Sequence, residues 1–111
     1  MSVNVTLNNT YHYGLTIEPG DSNTGWVSQG AIGYEPGDFV GLVASSDTSG
    51  AAFEVTDLWI SKEDGQYWIY CTLKNRGSAG ANPLLTYQVT KQASGGPAGF
   101  VAMPRQAIQK A

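Results

Sequence analysis

The chain has 111 residues and a formal net charge of −3 at pH 7, with six lysines and arginines in total. That length fits a single domain, and so few basic side chains cannot form the basic surface that nucleic-acid binding requires. No segment approaches the roughly 18 consecutive apolar residues of a membrane-spanning helix. We therefore expect no nucleic-acid partner and no membrane insertion.

The composition is typical of strands joined by turns. Charged residues make up only 14% of the chain, against about 25% in an average domain, and the 14 glycines lie mostly in short polar clusters between apolar runs. The first nine residues, MSVNVTLNN, show no basic region followed by an apolar core. We expect no signal peptide, and synthesis in the cytoplasm followed by release or by incorporation into a particle.

Two stretches near the N-terminus alternate between apolar and polar residues. In residues 2–7, SVNVTL, and residues 10–17, TYHYGLTI, the odd-numbered positions are apolar, which predicts two half-buried strands. Two arrangements stay open. A three-residue loop over 8–10 would pair Leu7 with Tyr11 and bring both apolar faces together, or the strands belong to different sheets.

The middle of the chain predicts further short strands. Residues 25–35, GWVSQGAIGYE, predict one or two strands, and residues 38–44, DFVGLVA, predict a central strand covered on both faces. In residues 51–61, AAFEVTDLWIS, the apolar positions change from odd to even, so we expect a β-bulge near Thr56 and Asp57. Residues 62–66, KEDGQ, are a hairpin signal.

Two more strands are predicted before residue 92, over residues 66–74, QYWIYCTLK, and residues 83–91, PLLTYQVTK, with a loop over 75–82. The total is about eight strands without a helical pattern, which favours a single antiparallel β-sandwich, immunoglobulin-like or jelly-roll. A small closed barrel is the alternative. Cys71 is the one cysteine, so no internal disulfide forms and we predict a buried, inert thiol.

The character of the chain changes after Lys91. Residues 1–91 form the predicted sandwich domain, and residues 92–99, QASGGPAG, are typical of a flexible linker. Residues 100–111 follow as a C-terminal arm in which Pro104 can start a short helix. We expect the arm either to fold back on its own domain or to dock on a neighbouring subunit through its apolar residues, Phe100, Val101, Met103 and Ile108.

The motif EPGD occurs twice, at 18–21 and 35–38. Proline at the second position and glycine at the third favour a type II turn, so we predict the same turn used twice. The acids also make a calcium site conceivable, since calcium binds loop carboxylates. That site requires both turns at the same end of the sandwich, and its candidate ligands are Glu18, Asp21, Glu35 and Asp38. We otherwise predict no metal and no cofactor.

The sequence offers little material for catalysis. His12 is the one histidine, and no nucleophile elbow, phosphate-binding loop or zinc-type spacing accompanies it. A zinc site needs three or four soft ligands, more than one histidine and one cysteine supply. We therefore predict that the protein is not an enzyme.

Aromatic residues in 66–74 suggest a binding surface. One face of this predicted strand carries Tyr67, Ile69, Cys71 and Leu73, and the opposite face carries Trp68 and Tyr70 beside Gln66 and Thr72. Flat rings beside amide and hydroxyl groups suit sugars. The same residues could instead pack in the core or contact another protein.

Residues 53–90 contain the corner Asn75-Arg76-Gly77 followed by small residues. This part of the chain resembles CARDB-type and related immunoglobulin-like adhesion modules. The run PGDFVGLVA is similar to the Pro-Gly-Asp start of a strand in many β-sandwich lectins and adhesins. The resemblance implies a sandwich and says little about the ligand.

Two functional hypotheses follow. The first is a lectin-like module that binds surface glycans through Trp68 and Tyr70, with Gln66 and Thr72 beside them. The second is a structural assembly protein, such as a virion decoration, tail or appendage subunit, that uses its C-terminal arm for oligomer contacts. Either way we expect a glycan or protein surface as the partner, and a homo-oligomer or a larger assembly.

Overall fold

The computed structural model describes residues 5–91, which form two antiparallel three-stranded sheets packed as a sandwich. The elements in chain order are β1 (Thr6–His12), β2 (Ser22–Ser28), α1 (Gln29–Ile32), β3 (Phe39–Ser45), β4 (Phe53–Glu63), β5 (Gln66–Asn75) and β6 (Leu84–Thr90). One sheet has the order β1-β6-β3 and the other β2-β5-β4. The predicted β-sandwich is confirmed, with six strands in residues 5–91 rather than about eight.

The two central strands supply the core. Alternate residues of β5 and β6 point inward, as the two-residue period of a strand requires, and the buried set is Ile69, Cys71, Leu73, Leu85, Tyr87 and Val89. Cys71 is fully buried, as predicted. Burial raises the pKa of its thiol, which keeps it protonated and unreactive.

The predicted break between two N-terminal strands was wrong. β1 runs without interruption through residues 8–10, and Asn9 lies directly opposite Tyr87 on β6. Leu7, Asn9 and Tyr11 lie on the same side of β1. Their partners on β6 are the buried core residues Val89, Tyr87 and Leu85. The turn preference of consecutive asparagines is outweighed here by continuous pairing with β6.

One prediction for the middle of the chain was wrong, and another was confirmed in one of its two alternatives. β3 is an edge strand, since among the described residues it pairs only with β6, and its Phe39 and Val43 are each 64% exposed. Of the one or two strands predicted for residues 25–35, β2 supplies the strand around Trp26, and the segment around Ile32 forms the single-turn helix α1. Gly33 ends this helix at φ 75°, a left-handed conformation that glycine adopts readily.

The β4–β5 hairpin agrees with the sequence in detail. Asp64 and Gly65 both have positive φ, 52° and 77°, as the two central residues of a type I′ turn require. The register shifts between Val55 and Asp57, which confirms the predicted bulge. Beyond the bulge, Trp59 lies opposite Tyr70, on the sheet face that points away from the core.

No helix in the described part of the chain is long and apolar enough to cross a membrane. The predicted linker, residues 92–99, and the predicted arm, residues 100–111, lie outside the described residues.

Candidate functional site

The three tryptophans of the chain, Trp26, Trp59 and Trp68, all lie on the outer face of the β2-β5-β4 sheet. Tyr70 sits on the central strand between buried Ile69 and Cys71 and so points outward. Trp26 of β2 and Trp59 of β4 lie directly opposite Tyr70 in the two strand pairs. Trp68 is two residues from Tyr70 on the same strand. We call the four residues Trp26, Trp59, Trp68 and Tyr70 the tryptophan face.

Tyr70 is held at the centre of this face. Its ring stacks on Trp59 with a centroid distance of 5.3 Å and an interplanar angle of 8°, and it lies 6.4 Å from the Trp26 ring at 47°. Its hydroxyl donates to the Glu63 carboxylate at 2.9 Å, and this hydrogen bond raises the pKa of the Tyr70 hydroxyl. Tyr70 therefore positions its neighbours, while Trp26 and Trp59 remain 60% and 43% exposed.

Trp68 has different surroundings from Tyr70. Its partners across the two neighbouring strands are Ser28 and Ser61, whose side chains are too small to cover an indole ring. Among the described residues the Trp68 side chain forms no hydrogen bond and no ring pair. It is half-buried, so part of its ring is open to a ligand.

Polar side chains lie on the same sheet surface, before and after the aromatic residues along the strands. Thr72 has Thr24 and Asp57 as its partners across the sheet, and Gln66 lies opposite Glu63 at the hairpin. The face therefore combines indole rings with hydroxyl, amide and carboxylate groups that can form hydrogen bonds with a ligand.

The structure brings the four predicted residues Gln66, Trp68, Tyr70 and Thr72 to this one face. The sequence reasoning missed Trp26 and Trp59, although a signal for each was present. After the predicted bulge, Trp59 points outward while Leu58 and Ile60 lie opposite buried residues of β5. Trp26 alternates with inward-facing Gly25. A role for any of these residues in binding stays a prediction.

A cleft of about 590 Å³ opens between the edge strands β1 and β2, and we call it the β1–β2 cleft. Its lining includes His12, Asn23, Trp26, Leu85, Tyr11 and Tyr13. Because Trp26 also belongs to the tryptophan face, the cleft and the face meet at this residue.

The two EPGD segments are turns, as predicted. In each, the amide of the aspartate donates to the carbonyl oxygen of the glutamate at 3.0 Å, and the glycine has positive φ, 84° at Gly20 and 97° at Gly37. Both features are those of a type II turn.

The turns lie at opposite ends of the sandwich. The Gly20 amide donates to the carbonyl oxygen of Asn75, the last residue of β5. In the second turn, the Asp38 carboxylate accepts a hydrogen bond from Lys91, just beyond β6, at 2.6 Å. This turn follows α1, whose Gln29 accepts from Tyr67 at the start of β5. The four carboxylates therefore do not meet, and no group of three metal-ligating residues occurs within residues 5–91.

His12, the histidine that the sequence singled out, does not belong to the tryptophan face. His12 is exposed at the end of β1, and its side chain forms no hydrogen bond with the rest of the described chain. The predicted assembly residues Phe100, Val101, Met103 and Ile108 fall outside the described range. No protein-family model, no curated protein and no solved structure matches the chain.

Proposed function

We propose that this protein is a non-catalytic recognition module that binds glycans through the tryptophan face. The observation that carries the proposal is the gathering of all three tryptophans on one solvent-facing sheet surface. Tryptophan is usually largely buried, and a contiguous exposed apolar surface on a soluble domain marks a binding site.

The chemistry of the face suits a sugar chain. The apolar C–H faces of sugar rings stack on indoles, and sugar hydroxyls form hydrogen bonds with side chains such as Thr72 and Gln66. Three strands spaced about 4.8 Å apart give an aromatic row about 10 Å wide. A surface of this width fits an extended ligand better than a single small molecule.

The geometry divides the roles among the aromatic residues. Trp26, Trp59 and Trp68 contact the glycan, because each has ring surface open to solvent. Tyr70 positions them, since its ring lies between Trp26 and Trp59 and its hydroxyl is bound to Glu63.

A glycan array probed with the multivalent full-length chain tests this proposal. We expect binding to a defined set of glycans, and loss of that binding in the double variant Trp26→Ala/Trp59→Ala. The matched control is Phe39→Ala, which removes a similarly exposed aromatic side chain from the other sheet. Absence of binding to every glycan at high multivalency would contradict the proposal.

A structural role in an assembly is the second candidate. It is supported by Phe39 and Val43, which are both 64% exposed on the outer side of edge strand β3. An edge strand with exposed apolar side chains is a surface on which another chain can pair. In this role the protein is a subunit of a particle or appendage, and the arm of residues 100–111 adds further contacts.

A further inference from the structure

We infer that the β1–β2 cleft binds the neutral terminal sugar of the glycan that lies on the tryptophan face. The inference rests on the proposed function, because Trp26 belongs to both surfaces. At about 590 Å³, the cleft is in the size range of small-molecule pockets. A glycan chain that crosses the face can continue over Trp26 and place its end in the cleft.

The aromatic walls of the cleft are fixed before a ligand arrives. The Tyr13 hydroxyl donates to the carbonyl oxygen of Thr24 at 3.1 Å, and the Tyr11 hydroxyl donates to the carbonyl oxygen of Ala31. Gly25 lets the Tyr13 ring lie against the β2 backbone, because a Cβ atom at position 25 would stand 2.6 Å from that ring. Walls held in this way lose little freedom when a ligand binds, which favours affinity.

Two polar side chains of the cleft have hydrogen-bonding capacity to offer. Asn23 and His12 both line it, and neither side chain forms a hydrogen bond within residues 5–91. Asn23 is half-buried on the inward-facing side of β2, opposite Leu73. Its amide has two donor hydrogens and an acceptor oxygen, and sugar hydroxyls can satisfy both kinds of group.

The charge of the lining selects the ligand. The described residues that line the cleft include no aspartate, glutamate, lysine or arginine. A sugar acid would lose hydration there without gaining an ion pair, so the cleft favours a neutral sugar. A quaternary ammonium group would find aromatic rings but no counter-charge, which makes phosphocholine the competing ligand for a test.

Isothermal titration calorimetry on the full-length chain tests the inference. The first probe is a soluble, neutral tetrasaccharide of the glycan bound best on the array. The second is the same tetrasaccharide with its terminal sugar oxidised to a uronic acid, and the third is phosphocholine. The variant is Asn23→Ala. Its matched control is Asn8→Ala, which removes an exposed amide from the outer face of the other sheet.

We expect Asn23→Ala to weaken binding of the neutral tetrasaccharide about tenfold, which corresponds to about 1.4 kcal/mol, and Asn8→Ala to leave it unchanged. The uronic acid form should bind the wild-type chain at least as weakly as the neutral form binds Asn23→Ala. Backbone amide signals of Gly14, Asn23 and Gly25 in the wild-type chain should shift when the neutral tetrasaccharide is added.

The outcomes separate the cleft from the tryptophan face. One outcome contradicts the cleft inference and leaves the proposed function standing. In that outcome the tetrasaccharide binds and Trp59→Ala weakens its binding, but Asn23→Ala has no effect on the affinity and the three amide signals do not shift. Equal or tighter binding of phosphocholine or of the uronic acid form also overturns the inference. If no glycan binds the wild-type chain, both fail. The shift measurement uses the wild-type chain, so it decides even if Asn23→Ala does not fold.

Discussion

Asn75 ties together the loops at one end of the sandwich. Its side chain is fully buried, and its amide donates to the carbonyl oxygens of Ile17 at 2.9 Å and Ala79 at 2.8 Å. Its side-chain oxygen accepts from the Gly77 amide at 2.9 Å. A Cβ atom at position 77 would come within 2.0 Å of the Gly50 carbonyl oxygen, so this corner requires glycine. The Asn-x-Gly corner seen in the sequence is therefore a hydrogen-bonded junction.

We predict that Asn75→Ala lowers the free energy of unfolding by about 2–4 kcal/mol, because four side-chain hydrogen bonds are lost, the three above and one from the Ala52 amide, and buried backbone groups are left unpaired. Urea denaturation followed by fluorescence measures the effect. Asn8→Ala is the control, with an expected change within about 0.5 kcal/mol. Equal stability of the two variants would show that the junction contributes little.

At the scale of elements, Lys91 links the end of β6 to the second EPGD turn. Its ammonium group donates to the Asp38 carboxylate at 2.6 Å, to the carbonyl oxygen of Gly33 at 2.8 Å and to Glu35 at 3.1 Å. The hydrogen bond to Asp38, more than any other contact, raises the pKa of Lys91. The folded chain therefore binds this proton more tightly than the unfolded chain does.

The raised pKa of Lys91 determines the direction in which the stability of the fold changes with pH. A raised folded-state pKa stabilises the fold fully below the unfolded value of about 10.4, and this contribution is lost as the pH rises through the folded value. We predict that wild type exceeds Lys91→Met in urea midpoint at pH 8 and that the difference shrinks as the pH rises above the unfolded value. Lys91→Arg keeps its charge in this range, so its advantage over Lys91→Met should persist. A wild-type advantage that is constant with pH would contradict the link.

Elements with local signals could be predicted from the sequence, and elements whose position depends on distant partners could not. The β4–β5 hairpin and its bulge were predicted because the Asp64-Gly65 turn and the change of apolar phase lie within the segment itself. β1 was divided in error because its continuity depends on pairing with β6, about 80 residues away in sequence. The exposed edge position of β3 was missed for the same reason.

The candidate site follows the same rule. Trp68 and Tyr70 could be placed on one face from the alternation along β5 alone. Trp26 and Trp59 join them only through the register of two strand pairs. No pattern within a single segment of the sequence specifies that register. The cleft lies between edges of two different sheets, so no pattern within one segment could predict it.

At the scale of the whole molecule, the two outer faces differ in chemistry. The outer face of the β1-β6-β3 sheet carries paired threonines, with Thr10 and Thr86 hydroxyls 3.1 Å apart, together with Phe39 and Val43. The outer face of the β2-β5-β4 sheet carries every tryptophan. We therefore propose the face with the tryptophans for ligand binding and the opposite face for contacts with a neighbouring subunit.

Truncation tests the assembly role. If the arm of residues 100–111 and the β3 edge hold copies together, sedimentation should show an oligomer for the full chain and a smaller species for a chain ending at Lys91. Because both sheets and their core contacts lie within residues 5–91, we expect the shorter chain to stay folded. Identical monomers with identical melting curves would contradict the assembly role.

The most direct test of glycan recognition is a nuclear magnetic resonance titration of the ¹⁵N-labelled full-length chain with the best array glycan. Three tryptophans give three indole N–H signals, and all three report on one face. Binding at the tryptophan face predicts that all three signals shift with one shared dissociation constant, while the backbone amides of Phe39 and Val43 stay unchanged. Shifts at Phe39 and Val43 with no movement of any indole signal would contradict it.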